Sequence, residues 1–229
     1  MDLVRKFFRS AFSVDSVVFG FDEGDLKVLL IYRGAEPYQG TWALPGDLVK
    51  LDEELDESVR RVLKDLTGMG NIYMEQIHTF GRVDRHPLGR VITVSYMSLV
   101  KISDYKLNPS SWAKDAKWHS INKIPKLPFD HNEILEFAIQ KLKEKVRRQP
   151  IGFELLPREF SITELQHLYE CVLGINLDKR NFRKKLSSMN LLVDSGVSQN
   201  AVAHRPARLY RFDRKKYNTL IKKGFSFEI

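Results

Sequence analysis

The chain has 229 residues, of which 43% are hydrophobic and 29% are charged, a composition typical of a soluble globular protein and not of a disordered or fibrous one. Its single cysteine excludes a disulfide-stapled fold, and the absence of an apolar run long enough to span a membrane predicts a cytoplasmic protein without membrane contact. The formal net charge of +8 is uneven, because residues 1–150 carry 23 basic and 21 acidic side chains whereas residues 151–229 carry 14 and 8. The excess in the last third predicts a polyanionic partner for that part of the chain.

The first part of the chain contains several short segments rich in β-branched and aromatic residues, which predicts a sheet. The predicted strands cover residues 11–21, 26–33, 72–80, 91–100 and 112–120. The turn sequence of residues 22–25 joins the first two strands as a hairpin. The connection of residues 81–90 holds three arginines, an aspartate and a histidine. Loops held on a sheet often supply binding groups, but a solvated hairpin tip explains this composition equally well.

Residues 44–69, LPGDLVKLDEELDESVRRVLKDLTGM, form the most distinctive stretch of the chain. Apolar residues recur there at three- and four-residue spacing, which places them on one face of a helix. These residues are Leu55, Val59, Val62, Leu63 and Leu66. Gly68 follows as a C-terminal cap would. The stretch therefore predicts a Pro-Gly turn and then an amphipathic helix.

A second helix is predicted from Asp130, which is a candidate N-cap, to the basic residues at 143–148. Gln149 and Pro150 break the pattern. We therefore divide the chain into a domain of residues 1–149 and a domain of residues 150–229.

The second domain shows two consecutive helix starts followed by a hairpin. Ser161 and Glu164 form a capping-box pattern, and Asp178 caps the next predicted helix, on which Phe182 and Leu186 face inward. Two strands then surround a long polar loop. This order is that of a winged helix-turn-helix, whose second helix enters the major groove of DNA.

The second helix of this domain is strongly basic, and its side chains are the candidate DNA contacts. We expect Arg180, Asn181 and Lys184 to read base edges, because arginine and asparagine match guanine and adenine geometrically. The candidate phosphate contacts are Lys179, Arg183, Lys185, Arg205 and Arg208. A merely solvated helix face is the alternative, and RNA binding is less favoured because the domain lacks an aromatic platform.

The stretch at residues 44–69 resembles the signature of the Nudix hydrolases, G-x5-E-x7-R-E-U-x-E-E-x-G-U, where U is aliphatic. Asp47 takes the glycine position, and Glu53, Arg61 and Gly68 match the pattern. Two of the metal-binding glutamates are replaced, by Val62 and Leu66, and a third position holds Asp65. The resemblance implies a Nudix-type α/β/α sandwich that has lost hydrolysis, so we expect no catalytic residues, no metal and no cofactor. The rival hypothesis is an active pyrophosphatase that binds metal through Glu53, Glu54, Glu57 and Asp65.

A degenerate Nudix domain followed by a winged helix resembles the Nudix-related transcriptional regulators over nearly the whole chain. That resemblance implies a homodimeric, nucleoid-associated repressor that binds palindromic double-stranded operator DNA and releases it when a small-molecule effector binds. Several segments, among them MEQIHTFGRVDRHPLGR and DKRNFRKKL, look most like the branch that responds to L-arabinose and controls sugar catabolism. The branch that senses ADP-ribose and controls NAD metabolism is the alternative. A carboxylate at Asp47 favours a neutral sugar over a diphosphate.

For the effector site we expect an aromatic stacking face and several hydroxyl partners. Trp42 is the candidate stacking face. The candidate hydroxyl partners are Asp47, Asp84, Arg85 and His86. Each has an ordinary structural explanation, since Trp42 would equally fit the core and His86 would fit a surface loop.

Overall fold

The computed structural model describes residues 10–22, 24–198 and 206–229. Contacts divide the chain into two compact units, one holding Lys27–Lys141 together with the chain up to Gly20, and the other holding Phe21–Leu26 and Leu142–Ile229. Leu142 lies inside a helix, whereas the boundary that the sequence suggests lies just beyond that helix. The domain limits of residues 1–149 and 150–229 stay a prediction. No helix among the residues described is long and apolar enough to cross a membrane.

One mixed sheet is the centre of the first unit, with strand order β3-β2-β1-β6-β5, β4 paired to β1 and β7 paired to β2. Residues 13–20 of β1 are all buried. Since successive side chains of a strand point to opposite faces, both faces of the sheet are covered at β1. The strands are β1 (Ala11–Asp22), β2 (Asp25–Arg33), β3 (Trp42–Ala43), β4 (Gly46–Leu48), β5 (Glu75–Phe80), β6 (Val91–Lys101) and β7 (Ala113–Ser120).

Helix α1 (Leu55–Thr67) covers one face of this sheet, as the apolar spacing predicts. Val59, Val62, Leu63 and Leu66 are buried in a core cluster with Val14 and other strand residues. Gly68 ends the helix in the left-handed conformation, with φ of 80°, and its amide donates to the carbonyl of Lys64. Short 3-10 turns lie at Ile102–Asp104 and Ile121–Lys123.

Helix α2 (His131–Arg148) begins directly after Asp130, the predicted N-cap, whose backbone carbonyl accepts the N–H of Ile134 at 3.0 Å. Both carboxylate oxygens of Asp130 accept hydrogen bonds from Arg85, each at 2.8 Å. An aspartate before a helix is ordinarily an N-cap, and here a buried arginine, 45 residues away in the chain, takes both of its oxygens.

The second unit combines helices with a three-stranded sheet of order β8-β10-β9. The Ser161–Glu164 capping box and the Asp178 cap are both present, which confirms these predictions. A further helix, for which we made no prediction from the sequence, follows the hairpin and is capped by Asp213. The elements are α3 (Gly152–Leu155), β8 (Phe160–Ser161), α4 (Ile162–Leu173), α5 (Lys179–Met189), β9 (Leu192–Ser198), β10 (Arg208–Phe212) and α6 (Arg214–Ile221).

Candidate functional site

Two of the α1 positions at which Nudix hydrolases carry metal-binding glutamates are part of the core in this protein. Val62 and Leu66 are each 1% exposed and pack in the cluster between α1 and the sheet. A carboxylate in either position would be removed from water and would lack a counter-charge. The replacement of glutamate by an aliphatic residue is therefore built into the packing of the helix.

Glu53 is the one glutamate of the signature that remains, and its carboxylate is occupied by the protein. It accepts hydrogen bonds from Arg61 Nη2 at 2.9 Å and from Ser58 Oγ at 2.6 Å. Hydrogen bonds from Arg61 and Ser58 lower the pKa of Glu53 to about 2. Arg61 Nη2 also donates to the carbonyl of Leu48 at 3.1 Å. The Arg61–Glu53 pair thus ties the start of α1 to the preceding loop.

The divalent ion that Nudix hydrolases use does not fit these residues. Magnesium prefers several hard oxygen ligands in octahedral geometry. In the parts of the chain that the structure describes, no group of three or more His, Cys, Asp or Glu side chains is placed to hold a metal ion. Glu57, a ligand in the rival hypothesis, instead accepts the backbone N–H of Glu54 at 3.1 Å. We therefore assign no hydrolytic step to this helix.

A cavity of about 370 Å³ lies beside the sheet of the first unit, between β1, β2, the loop of residues 81–90 and the segment before α2. Its volume is within the range typical of small-molecule sites. Its wall combines charged and aromatic side chains. Those that determine its chemistry are Asp15, Arg33, Asp47, Trp112, Phe129 and His131.

Arg33 is the most unusual residue of this wall. The residue is 8% exposed, and its guanidinium carbon lies 4.7 Å from the ring centroid of Trp112 and 5.2 Å from that of Phe129. Its Nε donates to the carbonyl of Pro37 at 2.9 Å. Within the described chain, the two terminal amino groups have no acceptor and no carboxylate within salt-bridge distance. Burial lowers the pKa of Arg33 from its usual value, but the nearby charges of Asp47 and Asp15 oppose this effect. These two terminal amino groups form a planar fork of N–H donors, which suits a phosphate or a carboxylate.

Phe129 holds its ring over Arg33 from a strained backbone position. Its φ is +54°, which is uncommon for a residue with a side chain, and Tyr38 has φ of +64°. The rings of Tyr38 and Phe129 form an edge-to-face pair with centroids 4.7 Å apart, and His86 stacks on Phe129 with centroids 5.2 Å apart and an interplanar angle of 11°. Such conformations cost about 1–3 kcal/mol each and cluster at binding sites. The cavity wall thus maintains an aromatic stack around one arginine.

A buried ionic network forms the floor of the cavity. Arg85, 3% exposed at its side chain, binds Asp130 through two hydrogen bonds of 2.8 Å and lies 3.4 Å from Asp15. Thr93 Oγ1 donates to Asp15 at 2.7 Å, and His131 Nε2 lies 3.4 Å from the other Asp15 oxygen. Burial by itself raises the pKa of Asp15, but His131, Arg85 and Thr93 together lower it below its usual value. Asp15 is therefore held as a carboxylate.

Two neighbours fix the geometry of this floor. The backbone N–H of Leu44 donates to His131 Nδ1 at 3.1 Å, so the remaining ring nitrogen of His131 faces Asp15. Gly46 pairs with Asp15 across β1 and β4, and a Cβ there would overlap the Asp15 carboxylate. Position 46 therefore requires a glycine, because the Asp15 carboxylate approaches the backbone there too closely for a side chain.

The structure brings together three of the five predicted effector-site residues. Asp47, Arg85 and His86 line the cavity. Trp42 does not line it, because its indole packs on Tyr32 and His119 with ring centroids 5.2 and 4.6 Å apart. Our expectation of a stacking face at Trp42 is therefore not supported by its position, which is on another part of the sheet.

Asp84 is likewise outside the cavity wall. Its side chain is 78% exposed and pairs with Arg82 at 2.9 Å. The residues that sequence reasoning missed are Arg33, Trp112 and Phe129. One signal was present, since Arg33 ends an apolar strand and precedes a loop, where binding groups concentrate. Whether Asp47, Arg85 and His86 contact an effector stays a prediction.

The candidate nucleic-acid interface is the outer face of α5 in the second unit. Phe182 and Leu186 are buried, whereas the predicted DNA-contacting side chains of the helix are all exposed. None of these cations has a salt-bridge partner among the residues of known structure. The exposed members are Lys179, Arg180, Asn181, Arg183, Lys184 and Lys185.

The predicted wing contacts are described only in part. The Arg208 side chain is 75% exposed and lies 3.5 Å from Asp194. Arg205 lies outside the residues that the structure describes. The part that both were predicted to play in DNA binding stays a prediction.

Family comparisons agree with this two-part architecture. A family model described as NUDIX domain matches residues 10–138, and one described as NrtR DNA-binding winged helix domain matches residues 152–212. The molecule is therefore a Nudix-related protein with a C-terminal winged helix, and the predicted fold class is confirmed.

Full-length relatives identify the family. The chain is 35% identical over 210 residues to the "ADPR responsive transcriptional repressor NtrR" of Acinetobacter baylyi, which covers 90% of this chain and 83% of that protein. The crystal structure of Shewanella oneidensis NrtR complexed with a 27mer DNA superposes with a TM-score of 0.73 at 30% identity, covering 94% of this chain and 97% of that one. The chain belongs to the NrtR family of Nudix-related regulators.

Two partial matches concern the first domain. The NUDIX domain of Shewanella oneidensis NrtR complexed with ADP ribose matches with a TM-score of 0.55 at 32% identity, over 60% of this chain and 92% of that one. An ADP-ribose pyrophosphatase of Methanocaldococcus jannaschii is 33% identical over 132 residues, covering 58% of this chain and 75% of that protein.

The prediction of an L-arabinose sensor in sugar catabolism is wrong. The full-length relative is described as an ADP-ribose responsive repressor, and a Nudix domain of the family was crystallised with ADP ribose. The argument from Asp47 failed because its carboxylate is not a free negative charge. Asp47 accepts hydrogen bonds from Trp112 Nε1 at 3.1 Å and from the backbone of Leu48 at 2.7 Å, and it lies in the electrostatic field of Arg33 and Arg61.

Proposed function

We propose that this protein is a DNA-binding transcriptional repressor whose Nudix domain senses ADP-ribose. The observation that carries the proposal is the cavity wall, where the free guanidinium fork of Arg33 lies beside the Asp47 carboxylate. The diphosphate of ADP-ribose could accept hydrogen bonds from Arg33, and its ribose hydroxyls could donate to Asp47. The descriptions of the Acinetobacter repressor and of the Shewanella Nudix complex support this choice of effector.

In this proposal the Nudix domain is a sensor and not a hydrolase. Val62 and Leu66 are core residues, and Glu53 is held by Arg61 and Ser58. Loss of a positioned general base alone costs a hydrolase roughly 10²- to 10⁴-fold in rate, and loss of the metal adds to that. ADP-ribose would therefore persist in the cavity long enough to act as a signal.

The second domain would bind operator DNA through α5. Arg180, Asn181 and Lys184 are the proposed base readers, and the exposed lysines and arginines around them would contact phosphates. A homodimer would present two such helices to a palindromic operator with half-sites about 34–36 Å apart or a multiple of that distance. Effector binding would favour a dimer with another spacing and so release the DNA.

Fluorescence anisotropy on the full-length protein tests this function. Duplexes selected from its own genome would be titrated with protein, and the complexes would then be titrated with ADP-ribose, L-arabinose or AMP. We expect release by ADP-ribose and no response to L-arabinose. The proposal fails if no genomic duplex binds above the non-specific level, or if ADP-ribose leaves the complex unchanged.

The rival function is ADP-ribose hydrolysis, which the Methanocaldococcus relative favours. Incubation with ADP-ribose and excess Mg²⁺ separates the two. Turnover at the ordinary rate of an enzyme, about 1 s⁻¹ or faster, would support the rival. We expect the ADP-ribose to remain intact.

A further inference from the structure

We propose that Arg33 binds the diphosphate of the effector directly and that no divalent cation takes part. This inference rests on the proposed function, because it concerns how the same cavity recognises ADP-ribose. It addresses a specific difficulty: a diphosphate needs positive charge, and the residues that would hold a metal ion are not suited to it.

The first step of the argument is that the ordinary source of positive charge is missing. Two signature positions are filled by core residues, Val62 and Leu66, and the Glu53 carboxylate already accepts from Arg61 and Ser58. A metal would have to displace the Arg61 guanidinium from Glu53 and would then find too few further oxygen ligands nearby.

The second step is that, among the residues that the structure describes, the wall of the cavity has one arginine available to a ligand. Two arginines line it, Arg33 and Arg85. The charge of Arg85 is already paired inside the protein, since its Nε and Nη2 bind Asp130 and its Nη2 lies 3.4 Å from Asp15. Arg33 uses only Nε, in its bond to Pro37. Its two terminal amino groups therefore remain to donate to an anion in the cavity.

The third step is that Arg33 is held in place before any ligand arrives. Both rings that contact its guanidinium are themselves held: Trp112 by its hydrogen bond to Asp47, and Phe129 by its packing on Tyr38 and His86. A long flexible side chain ordinarily loses rotamer freedom on binding, which weakens affinity. Because the rings already restrict Arg33, that cost is largely absent, and the surrounding apolar rings strengthen its charge interactions.

The charges of the wall agree with a ligand that has both an anionic and a hydroxylated part. Asp47 lies close enough to Arg33 to favour its charged form, and Arg61 also lies within its field. The lone pairs of Asp47 that Trp112 and Leu48 do not use can accept from ribose hydroxyls. A nucleoside diphosphate sugar satisfies both residues, whereas a free pentose would leave the Arg33 fork unpaired in a buried site, which is costly.

Isothermal titration of the full-length protein with ADP-ribose tests the metal requirement. Titrations would be run in excess EDTA and in excess Mg²⁺. We expect dissociation constants that agree within about twofold, whereas a tenfold difference would correspond to about 1.4 kcal/mol. Weakening by tenfold or more in EDTA would overturn the inference.

Substitutions at Arg33 test the residue itself. Arg33→Met keeps an unbranched side chain beside the rings but removes the charge, and we expect a loss of affinity for ADP-ribose of about tenfold or more, or about 1.4 kcal/mol. Arg33→Lys keeps the charge but not the planar fork, so we expect an intermediate loss. Arg82→Met is the matched control, because Arg82 is an exposed arginine of the same unit that does not line the cavity. The affinity of Arg82→Met for ADP-ribose should equal that of the wild type.

The possible results separate this inference from the proposed function. If the wild-type protein binds no ADP-ribose with or without Mg²⁺, the proposed function fails, and this inference fails with it. If the wild type binds in EDTA but Arg33→Met and Arg33→Lys, both folded by thermal melting, bind equally well, only the assignment of Arg33 is wrong. Unfolding of Arg33→Met alone would leave the Arg33→Lys comparison to decide.

Discussion

Arg61 and Arg85 of the first unit differ from the arginines on α5 of the second unit in whether the chain itself supplies their counter-charges. In the first unit, Arg61 binds Glu53, eight residues away, and Arg85 binds Asp130, 45 residues away. On α5 of the second unit, Arg180 and Arg183 are exposed and have no salt-bridge partner within the described residues. A paired arginine fixes the scaffold, whereas an unpaired one can neutralise an external anion. Arg33 is informative because it is buried, as Arg85 is, but has no carboxylate partner among the described residues, as is the case for the α5 arginines.

The largest effect is expected where a charge is added that the scaffold cannot pair. Val62→Glu would restore a glutamate of the Nudix signature inside the core between α1 and the sheet. Burial shifts a carboxyl pKa by up to 3–5 units, and each unit corresponds to 1.36 kcal/mol, so we expect a loss of about 4 kcal/mol or more at pH 7. The loss should be smaller at pH 5, because less free energy is needed to keep the buried carboxyl neutral there. Urea unfolding at the two pH values measures it.

Arg60→Glu is the matched control for Val62→Glu, because Arg60 lies on the exposed face of the same helix. It should change stability by about 1 kcal/mol or less. If Val62→Glu is as stable as wild type and gains Mg²⁺-dependent hydrolysis, our account of why the signature was lost is wrong.

Removing Arg85 from its buried pair with Asp130 should cause the next largest loss of stability. Arg85→Ala would leave Asp130 and Asp15, with side chains 1% and 5% exposed, without their cation. Breaking a buried pair in this way typically costs 3–5 kcal/mol. Arg82→Ala removes an arginine that is 58% exposed and paired with Asp84, so about 1 kcal/mol or less is expected. Equal losses in the two variants, measured by urea unfolding, would contradict the distinction between paired scaffold and surface arginines.

The sequence predicted the elements better than it predicted the cavity. Helix α1 and the caps at Ser161 and Asp178 could be foreseen because they depend on residues three or four positions apart. The cavity could not, because Arg33, Trp112 and Phe129 meet only through the antiparallel pairing of β2 and β7 and the start of α2. A pattern within one segment does not show which distant segment completes the site.

The misplacement of Trp42 has the same origin. Trp42 was the candidate stacking face for the effector, but β3 pairs with β2 so that Trp42 lies opposite Tyr32. The strand register therefore decides which tryptophan faces the cavity, and register depends on long-range pairing. Trp112, which precedes β7, stacks on Arg33 instead.

Substitutions on α5 test the unpaired cations of the second unit. Arg180→Ala should weaken operator binding by roughly 1–3 kcal/mol and relax the preference at one base position. Lys185→Ala should weaken binding to all sequences alike and reduce the salt slope by about one. Anisotropy titrations over a series of salt concentrations measure both effects.

The two α5 variants control for each other, since both remove one exposed cation from one helix. If both change only the salt slope, α5 contacts the backbone without reading bases. If Arg180→Ala binds the operator as the wild type does, α5 is not the recognition helix.

The smallest effect is expected at the Arg61–Glu53 pair, which is near the surface. Its hydrogen bonds hold the pKa of Glu53 at about 2, below the usual 4.5. A lowered folded-state pKa means that the charged pair stabilises the protein above pH 4.5 and that this contribution is lost as pH falls towards 2. The stability difference between wild type and Glu53→Gln should therefore shrink over that interval. Urea unfolding at successive pH values measures it.

Asp52→Asn is the control for Glu53→Gln, since Asp52 is an exposed neighbour without a cation partner in the described part of the chain. The difference in free energy of unfolding between Asp52→Asn and the wild type should not change between pH 4.5 and 2. If the difference for Glu53→Gln is also constant with pH, Arg61 does not hold the carboxylate in solution. Glu53 would then be free to bind a metal ion, and the contrast between paired and unpaired arginines would no longer separate scaffold from site in the first unit.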